Sequence, residues 1–280
     1  MEPFHKQNET DTPSCYMESL KPEEIKTRCL AIAKDIDRVC TKYKIDYSLC
    51  GGSVIGAHLY QGFIPWDDDI DLMMTRENYD RFLRAYKKKG NPAYHLRHFL
   101  TDGTDNVPAL FARVEDTGTA VTEVIAGSKR ESRVFVDITV FDGVPNRLYH
   151  KLAFFYAGYV YTMLYRKNGM TPGTGWKNML YRMLPAVKDD ETLLKRYKTL
   201  DAFLRKRKGK QDRYCAELLS AAYSRILYER RMFDRYKRVP FEDCSLPVIE
   251  DYMDYLYTRY GKREFKKDLP EEERQVSHIR

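Results

Sequence analysis

The chain has 280 residues, of which 43% are apolar and 32% are charged, and this balance excludes both a disordered chain and an integral membrane protein. Lysine and arginine number 48 against 41 aspartates and glutamates, so the formal net charge is +7. The excess favours an anionic partner, such as a nucleotide, a phosphorylated glycan or an acidic membrane surface. It is too small to indicate nucleic acid, which we do not expect as a partner.

The six cysteines are scattered, with no CxxC pair and no histidine at ligand spacing, which argues against a zinc site. A chain of this length does not need disulfides, so we expect reduced thiols in a cytosolic compartment. Residues 1–19 are polar and lack the apolar segment of a signal peptide. We therefore expect a cytoplasmic location, with peripheral attachment to the inner face of the membrane as an alternative.

The first helix is predicted to begin near Pro22, a residue suited to the first helical position, after a disordered tail over residues 1–21. A short strand is predicted over Lys44–Cys50, and a short helix from the turn Gly51-Gly52-Ser53 to Tyr60. Apolar residues of the first helix recur at helical spacing: Ile25, Cys29, Ile32, Ile36, Val39 and Cys40.

The segment Asp69–Met74 alternates acidic and apolar residues at its start, which predicts a strand with two carboxylates on one face. A helix is predicted over Glu77–Lys88. Runs rich in β-branched and aromatic residues predict four further strands: Tyr94–Phe99, Ala109–Val114, Thr119–Val124 and Arg133–Phe141.

Beyond Pro145 the sequence becomes aromatic, basic and helical in character, and the basic tract Lys195–Arg213 is interpreted as a solvated helix face. The run Leu152–Leu164 is apolar but too short for a bilayer span, which needs about 20 residues. We favour a buried core helix for this run. A helix on a membrane surface is the alternative, because four basic residues flank the run: Arg147, Lys151, Arg166 and Lys167.

Four aspartates crowd into the segment Asp67-Asp68-Asp69-Ile70-Asp71. Their charges repel one another at neutral pH unless a cation is present. On a strand, Asp69 and Asp71 would point to the same face about 6.5–7 Å apart and could share an ion. Oxygen ligands suit Mg²⁺, which also coordinates substrate phosphates, although an acidic surface turn would give the same pattern.

Two further features strengthen this interpretation. The turn Gly51-Gly52-Ser53 would let the backbone approach a phosphate at a helix N-terminus, with a plain tight turn as the alternative. Asp137 lies in the centre of a β-branched run, where a carboxylate is costly to bury without a partner. A third metal ligand explains this position better than a structural aspartate does.

A glycine turn, two carboxylates on one strand and a third on another resemble the general nucleotidyltransferase pattern. More closely, GSVIGA (52–57) followed by GFIPWDDDID (62–71) resembles the LicD/fukutin family signature, in which a GTLLGA block precedes GFIPWDDDID. The resemblance runs from about residue 22 to the end. Later segments that are similar to family motifs are Val136-Asp137-Ile138, Asp142–Pro145, Tyr260-Gly261, Leu269–Glu272 and His278.

The resemblance implies an α+β fold, with a nucleotidyltransferase-like mixed β-sheet flanked by helices and followed by a mainly helical C-terminal portion. The catalytic core would span residues 22–146. Residues 147–280 would pack on it as a helical region, with one continuous domain as the alternative.

The resemblance also implies an enzyme, a Mg²⁺-dependent phosphotransferase. It would move phosphocholine or a similar group from CDP-choline or a CDP-alditol to a sugar hydroxyl of a cell-surface glycan, such as lipopolysaccharide or teichoic acid. Asp69, Asp71 and Asp137 would be the catalytic and metal-binding residues. The nucleotide and its phosphates would be bound by Gly52, Ser53, Arg113 and Thr119, although a surface ion pair is an equal alternative for Arg113.

The chain departs from the family at Leu59-Tyr60-Gln61, where relatives carry Arg-His-Lys beside the phosphate site. Two other functions therefore stay open at this point. The same carboxylates would serve a nucleotidyltransferase that acts on a small hydroxylated acceptor, and a catalytically degenerate glycan-binding relative could keep the fold.

Overall fold

The computed structural model describes residues 20–103, 109–125, 128–167, 189–206, 212–220, 225–262 and 264–267. The elements of the N-terminal part are α1 (Pro22–Tyr43), β1 (Ser48–Leu49), α2 (Gly51–Tyr60), β2 (Asp71–Thr75), α3 (Arg76–Lys89), β3 (Tyr94–Arg97), α4 (Phe99–Asp102), β4 (Ala112–Asp116), β5 (Val121–Ile125), β6 (Ser128–Ser132) and β7 (Phe135–Val144).

The C-terminal part contains both helices and strands. Its elements are α5 (Arg147–Lys167), α6 (Asp190–Arg205), β8 (Tyr214–Ala216), β9 (Tyr228–Glu229), a 3₁₀ turn (Arg230–Phe233), β10 (Tyr236–Phe241), β11 (Cys244–Ile249) and α7 (Tyr252–Tyr260).

The central sheet has the strand order β1-β2-β7-β4-β3, in which β2 and β7 run parallel and the other neighbours are antiparallel. The second half of β7 continues the sheet to β8, and β9 pairs with β8. Two hairpins, β5–β6 and β10–β11, lie outside this order. The predicted α+β class with a mixed sheet and flanking helices is confirmed.

Helix α1 begins at Pro22 as predicted, and every apolar residue of its predicted face is buried. The helix ends where Lys44 takes a left-handed conformation (φ 53°) and donates its backbone N–H to the Thr41 carbonyl. The periodicity of the sequence therefore identified the face that packs on the sheet, where α1 contacts β4 and β7.

Helix α5 contains the run Leu152–Leu164 and packs against α6 and β7. Its buried face carries Ala153, Ala157, Val160 and Leu164, which supports the core-helix interpretation for one side of the helix. Leu152 and Phe155 lie on the opposite, exposed side. In the part of the chain that the structure describes, no helix combines the length and the apolarity that crossing a bilayer requires.

Helix α6 is tied to the sheet by buried charges. Arg76, at the start of α3, donates to both carboxylate oxygens of Asp142 in β7 (2.6 and 2.9 Å) and to Asp201 of α6 (3.1 Å). All three side chains are at most 5% exposed. The aspartate of the predicted Asp142–Pro145 motif is thus part of the scaffold.

Some sequence expectations differ from the structure in detail or lie outside the described residues. The strand predicted from Asp69 begins at Asp71. The C-terminal part is mainly helical, as expected, and in addition contributes β8 to the sheet and the β10–β11 hairpin. Residues 1–19, 207–211 and the motif region 268–280 lie outside the described residues. The division of the chain at residue 146, between β7 and α5, stays a prediction.

Candidate active site

The glycine turn is fastened directly to the start of β2. The Cys50 N–H donates to the Asp71 carbonyl (2.8 Å), and the Asp71 N–H donates to the Ser53 hydroxyl (2.9 Å). Gly51 has a φ of +54°, a backbone conformation that residues other than glycine rarely adopt. These contacts place the N-terminus of α2, the positive end of its dipole, beside Asp71.

A second aspartate of the acidic segment reaches the same turn. A Cβ atom on Gly52 would lie 3.2 Å from Oδ2 of Asp67, so the lack of a side chain at Gly52 leaves room for this carboxylate. Asp69 lies between Asp67 and Asp71 in the sequence, in the segment that leads into β2. The structure therefore brings the predicted phosphate turn and the acidic segment together.

Asp137 joins them across the sheet. In the parallel pairing of β2 with β7, Asp71 is the register partner of Asp137, and in the antiparallel pairing of β7 with β4, Asp137 is the partner of Arg113. Residues opposite each other on neighbouring strands share a face, and the strands lie about 4.8 Å apart. A row of charged side chains therefore runs from Asp71 through Asp137 to Arg113.

Arg113 is buried at 5% exposure and lies against the Phe135 ring, 3.4 Å from its centroid. Its guanidinium donates to both oxygens of Asp137 (2.7 and 3.0 Å) and to both oxygens of Glu123 (3.0 and 3.1 Å). The ion pair that sequence analysis left open exists, but it is buried instead of lying at the surface. A contact between Arg113 and a donor phosphate stays a prediction.

Burial raises the pKa of all three carboxylates, and the charges of neighbouring acids add to the effect. Burial raises the pKa of Asp71 to about 8, helped by the charge of Asp137 and opposed by Arg259. Burial also raises the pKa of Asp69 well above its usual range, and the charges of Asp71 and Asp67 add to the effect. Burial raises the pKa of Asp137, which Arg113 opposes. A cation at this place would offset the repulsion.

The donor set suits a hard divalent cation, because Asp69 and Asp71 offer only oxygen ligands and are half-buried next to other acids. Among the described residues, no three His, Cys, Asp or Glu side chains are already arranged as a metal site. Mg²⁺ commonly uses one or two carboxylates and takes its other ligands from water and substrate phosphates. Asp69 and Asp71 fit this way of binding Mg²⁺, and Asp137 is the next carboxylate in the row of charged side chains.

Thr119 has a structural role in the loop after β4. Its hydroxyl donates to the Asp116 carbonyl (2.9 Å) and accepts the N–H of Val134 (2.9 Å), and the residue is 8% exposed. The predicted phosphate contacts of Thr119, Gly52 and Ser53 all stay predictions.

A cation that the sequence patterns did not indicate lies at this site. Arg259 of α7 forms a buried ion pair with Glu217 (2.8 Å), and both side chains are at most 5% exposed. A Cβ atom on Gly51 would lie 3.7 Å from the Arg259 guanidinium, so this charge is beside the glycine turn. The only signal in the sequence was the family-like Tyr260-Gly261 motif that follows Arg259 directly.

Helix α7 reaches the turn through a second residue. The hydroxyl of Tyr255 accepts the Gly51 N–H (3.0 Å) and lies 3.2 Å from the Cys50 sulfur. The site is therefore closed from one side by a helix that lies about 200 residues later in the chain.

The departure at Leu59-Tyr60-Gln61 lies at the other end of α2. At a rise of 1.5 Å per residue, Leu59 is about 12 Å along the helix from Gly51. The Tyr60 hydroxyl donates to the Lys267 carbonyl (2.6 Å), and Gln61 caps the helix in a left-handed conformation. The missing cations of this segment are thus separated from the turn by the length of α2, while Arg259 lies beside the turn.

Comparison with known proteins adds to this geometry. The chain is 29% identical to the lipopolysaccharide cholinephosphotransferase LicD of Haemophilus influenzae over 274 aligned residues. The aligned region covers 94% of this chain and 98% of that protein. The chain is also 33% identical over 70 residues to an uncharacterized protein of Rickettsia typhi, over 24% of this chain and 22% of that protein.

The family comparison covers the predicted residues of the site, while Tyr255 and Arg259 of α7 lie outside the matched stretch. Residues 44–162 match the family described as LicD/FKTN/FKRP, nucleotidyltransferase domain. This stretch includes the glycine turn, the acidic segment, Arg113, Thr119 and Asp137. The resemblance inferred from the motifs is confirmed, because the chain is similar to this family over residues 44–162 and to the Haemophilus protein over nearly its whole length.

Proposed function

We propose that this chain is a Mg²⁺-dependent transferase that moves phosphocholine, or a similar phosphoryl-linked group, from a CDP-activated donor to a sugar hydroxyl of a lipopolysaccharide-type glycan. The observation that carries the proposal is the meeting of Asp69, Asp71 and Asp137 at the N-terminus of α2. The name of the Haemophilus relative, which aligns with nearly the whole chain, supports the choice of phosphocholine and lipopolysaccharide.

The donor's phosphates would bind at the glycine turn. The helix N-terminus at Gly52 and Ser53 favours negative charge. Ser53 acts there by positioning, because its hydroxyl holds the N–H of Asp71. Arg259 adds a positive charge beside Gly51.

Asp69 and Asp71 would hold the Mg²⁺, with Asp137 as the third carboxylate within the row. When bound, the ion supplies neutralisation of the charge that develops on the donor's phosphate oxygens. Without it, the crowded carboxylates would repel an anionic donor. The acidic segment therefore makes chemical sense only together with a cation.

The acceptor's hydroxyl oxygen would attack the phosphorus that carries choline. A bond forms between that oxygen and the phosphorus, the bond from the phosphorus to the CMP oxygen breaks, and CMP leaves. Asp137 is the candidate to accept the hydroxyl proton on a carboxylate oxygen. Arg113 holds both of its oxygens, which fixes the carboxylate in one orientation.

The test is CMP release from a panel of CDP-alcohols, measured by mass spectrometry with a purified lipopolysaccharide acceptor. We expect CMP from CDP-choline or a CDP-alditol in the presence of Mg²⁺. A chelator should remove the activity, and added Mg²⁺ should restore it. If no donor of the panel releases CMP in Mg²⁺, or if the chelator changes nothing, the proposal is wrong.

A further inference from the structure

The exposed apolar surface of the described residues is concentrated on one helix. Three exposed large apolar side chains lie on α5: Leu148 at 67%, Leu152 at 57% and Phe155 at 49% exposure. The remaining one, Leu100, is 39% exposed and lies on α4. Residues at positions i, i+4 and i+7 share one helix face, so these three form a single stripe, which we call the outer face of α5.

The stripe is narrower than the apolar sequence run suggests. The other rings of the run are held by the fold: the buried Tyr161 donates its hydroxyl to the Leu219 carbonyl (2.5 Å), and Tyr156 donates to the Arg196 carbonyl (3.3 Å). Phe154 lies 5.3 Å from the Arg225 guanidinium. The strongly exposed apolar side chains are therefore confined to the first three turns of α5.

Basic residues surround the outer face. Arg147 and Lys151 are exposed in the same turns of α5. Helix α6 runs antiparallel beside α5, because Tyr149 stacks on Phe203 at one end and Tyr156 reaches Arg196 further along. Exposed basic residues of α6 and of its C-cap face solvent, namely Lys195, Arg196, Lys198 and Lys206. The far end of α6 is acidic, with Asp189, Asp190 and Glu191, of which Asp190 pairs with Lys167.

We propose that the outer face of α5, together with the lysines of α6, docks on the surface of an anionic lipid bilayer. Leucine and phenylalanine would enter the boundary between headgroups and acyl chains, and the flanking lysines would meet anionic headgroups. The helix lies on the surface and does not span it, in agreement with its buried opposite face.

A second copy of the chain is a poorer occupant for this face. A two-fold symmetric dimer would bring the same face of both copies together, and the basic residues around each stripe would then repel one another. An anionic bilayer offers the opposite charge. The inference does not rest on the proposed function, because the outer face begins beyond the end of β7, about 23 Å along that strand from Asp137.

The experiment is flotation of the full chain with vesicles of phosphatidylglycerol and phosphatidylcholine in equal parts, and with vesicles of phosphatidylcholine alone. We expect binding to the anionic vesicles that falls with added salt. The variant Leu148→Ser/Leu152→Ser/Phe155→Ser should bind at least about tenfold more weakly. Lys151→Gln/Lys198→Gln should also weaken binding.

Two control variants match these changes elsewhere on the surface. Leu100→Ser removes the exposed leucine of α4, and Lys87→Gln/Lys88→Gln removes two exposed lysines of α3; both should bind the vesicles nearly as the unmodified chain does. Absence of binding to anionic vesicles, or equal binding by the triple serine variant, would overturn the proposal. The unmodified chain could instead form a dimer that does not bind vesicles and that the triple serine variant does not form. That result would assign the outer face of α5 to a second copy of the chain and would also overturn the proposal.

Discussion

Asp71→Asn is expected to reduce Mg²⁺-dependent CMP release about 10³-fold while the protein stays folded. Asp71 is the carboxylate at which the glycine turn, the acidic segment and Asp137 meet, and asparagine cannot supply its negative charge to a cation. Asp69→Asn and Asp137→Asn should have effects of the same order. Asp254→Asn, an exposed aspartate of α7, is the matched control and should leave turnover unchanged.

The same variant should gain stability in metal-free buffer. The pKa of Asp71 is raised to about 8 in the folded chain, against about 3.9 in an unfolded one. As the pH rises from about 4 to about 8, the unfolded chain loses this proton first, so the native state loses stability over that window. Asparagine carries no such proton, and its advantage in melting temperature should grow with pH.

Thermal melts in chelator at about pH 5 and about pH 9 measure this effect. The expected pattern is a lost activity together with an equal or higher melting temperature at the higher pH. Near-normal turnover would remove Asp71 from the site. A melting temperature that drops equally at both pH values would show that Asp71 is a structural residue.

The largest stability loss is expected from Asp142→Asn, at about 3 kcal/mol. Asp142 is fully buried and receives two hydrogen bonds from Arg76, which is 4% exposed. Removing the carboxylate charge leaves the guanidinium in the interior with Asp201 and the more distant Asp80 as its acidic partners among the described residues. An uncompensated buried charge is among the costliest single changes in a protein.

Urea denaturation of the Asp142→Asn variant, compared with the control variant Asp243→Asn, measures this loss of stability. Asp243 pairs with Lys34 at the surface, where both side chains are well exposed. Removal of the Asp243 charge should therefore leave the urea midpoint of unfolding close to that of the unmodified chain. If the two variants unfold at the same urea concentration, the buried network does not hold α6 to the sheet.

Local patterns in the sequence were sufficient for most elements that build the site. The periodicity of α1, the glycines at the start of α2 and the β-branched run around Asp137 each depend on neighbouring residues, and the structure has a helix, a helix start and a strand at these places. The start of β2 was missed by two residues. The acidic and apolar alternation extends back to Asp69, but the pairing with β7 begins only at Asp71.

Contacts between distant parts of the chain were beyond these patterns. Arg259 and Tyr255 reach the turn because α7 packs on α2, and no local spacing indicates which surface a helix will cover. The same holds for Arg113, whose partners Asp137 and Glu123 come from two other strands. Thr119 was selected by family position, while its hydroxyl contacts depend on the loop geometry around Asp116.

The mass of the glycan acceptor after reaction tests the central claim most directly. With the unmodified chain, CDP-choline and Mg²⁺, the acceptor should gain the mass of phosphocholine while free CMP appears in equal amount, and Asp71→Asn should leave the acceptor unchanged. An acceptor that gains a nucleotide would show nucleotidyl transfer instead. An acceptor that stays unmodified by the active preparation with every CDP-alcohol would contradict a transferase of this kind.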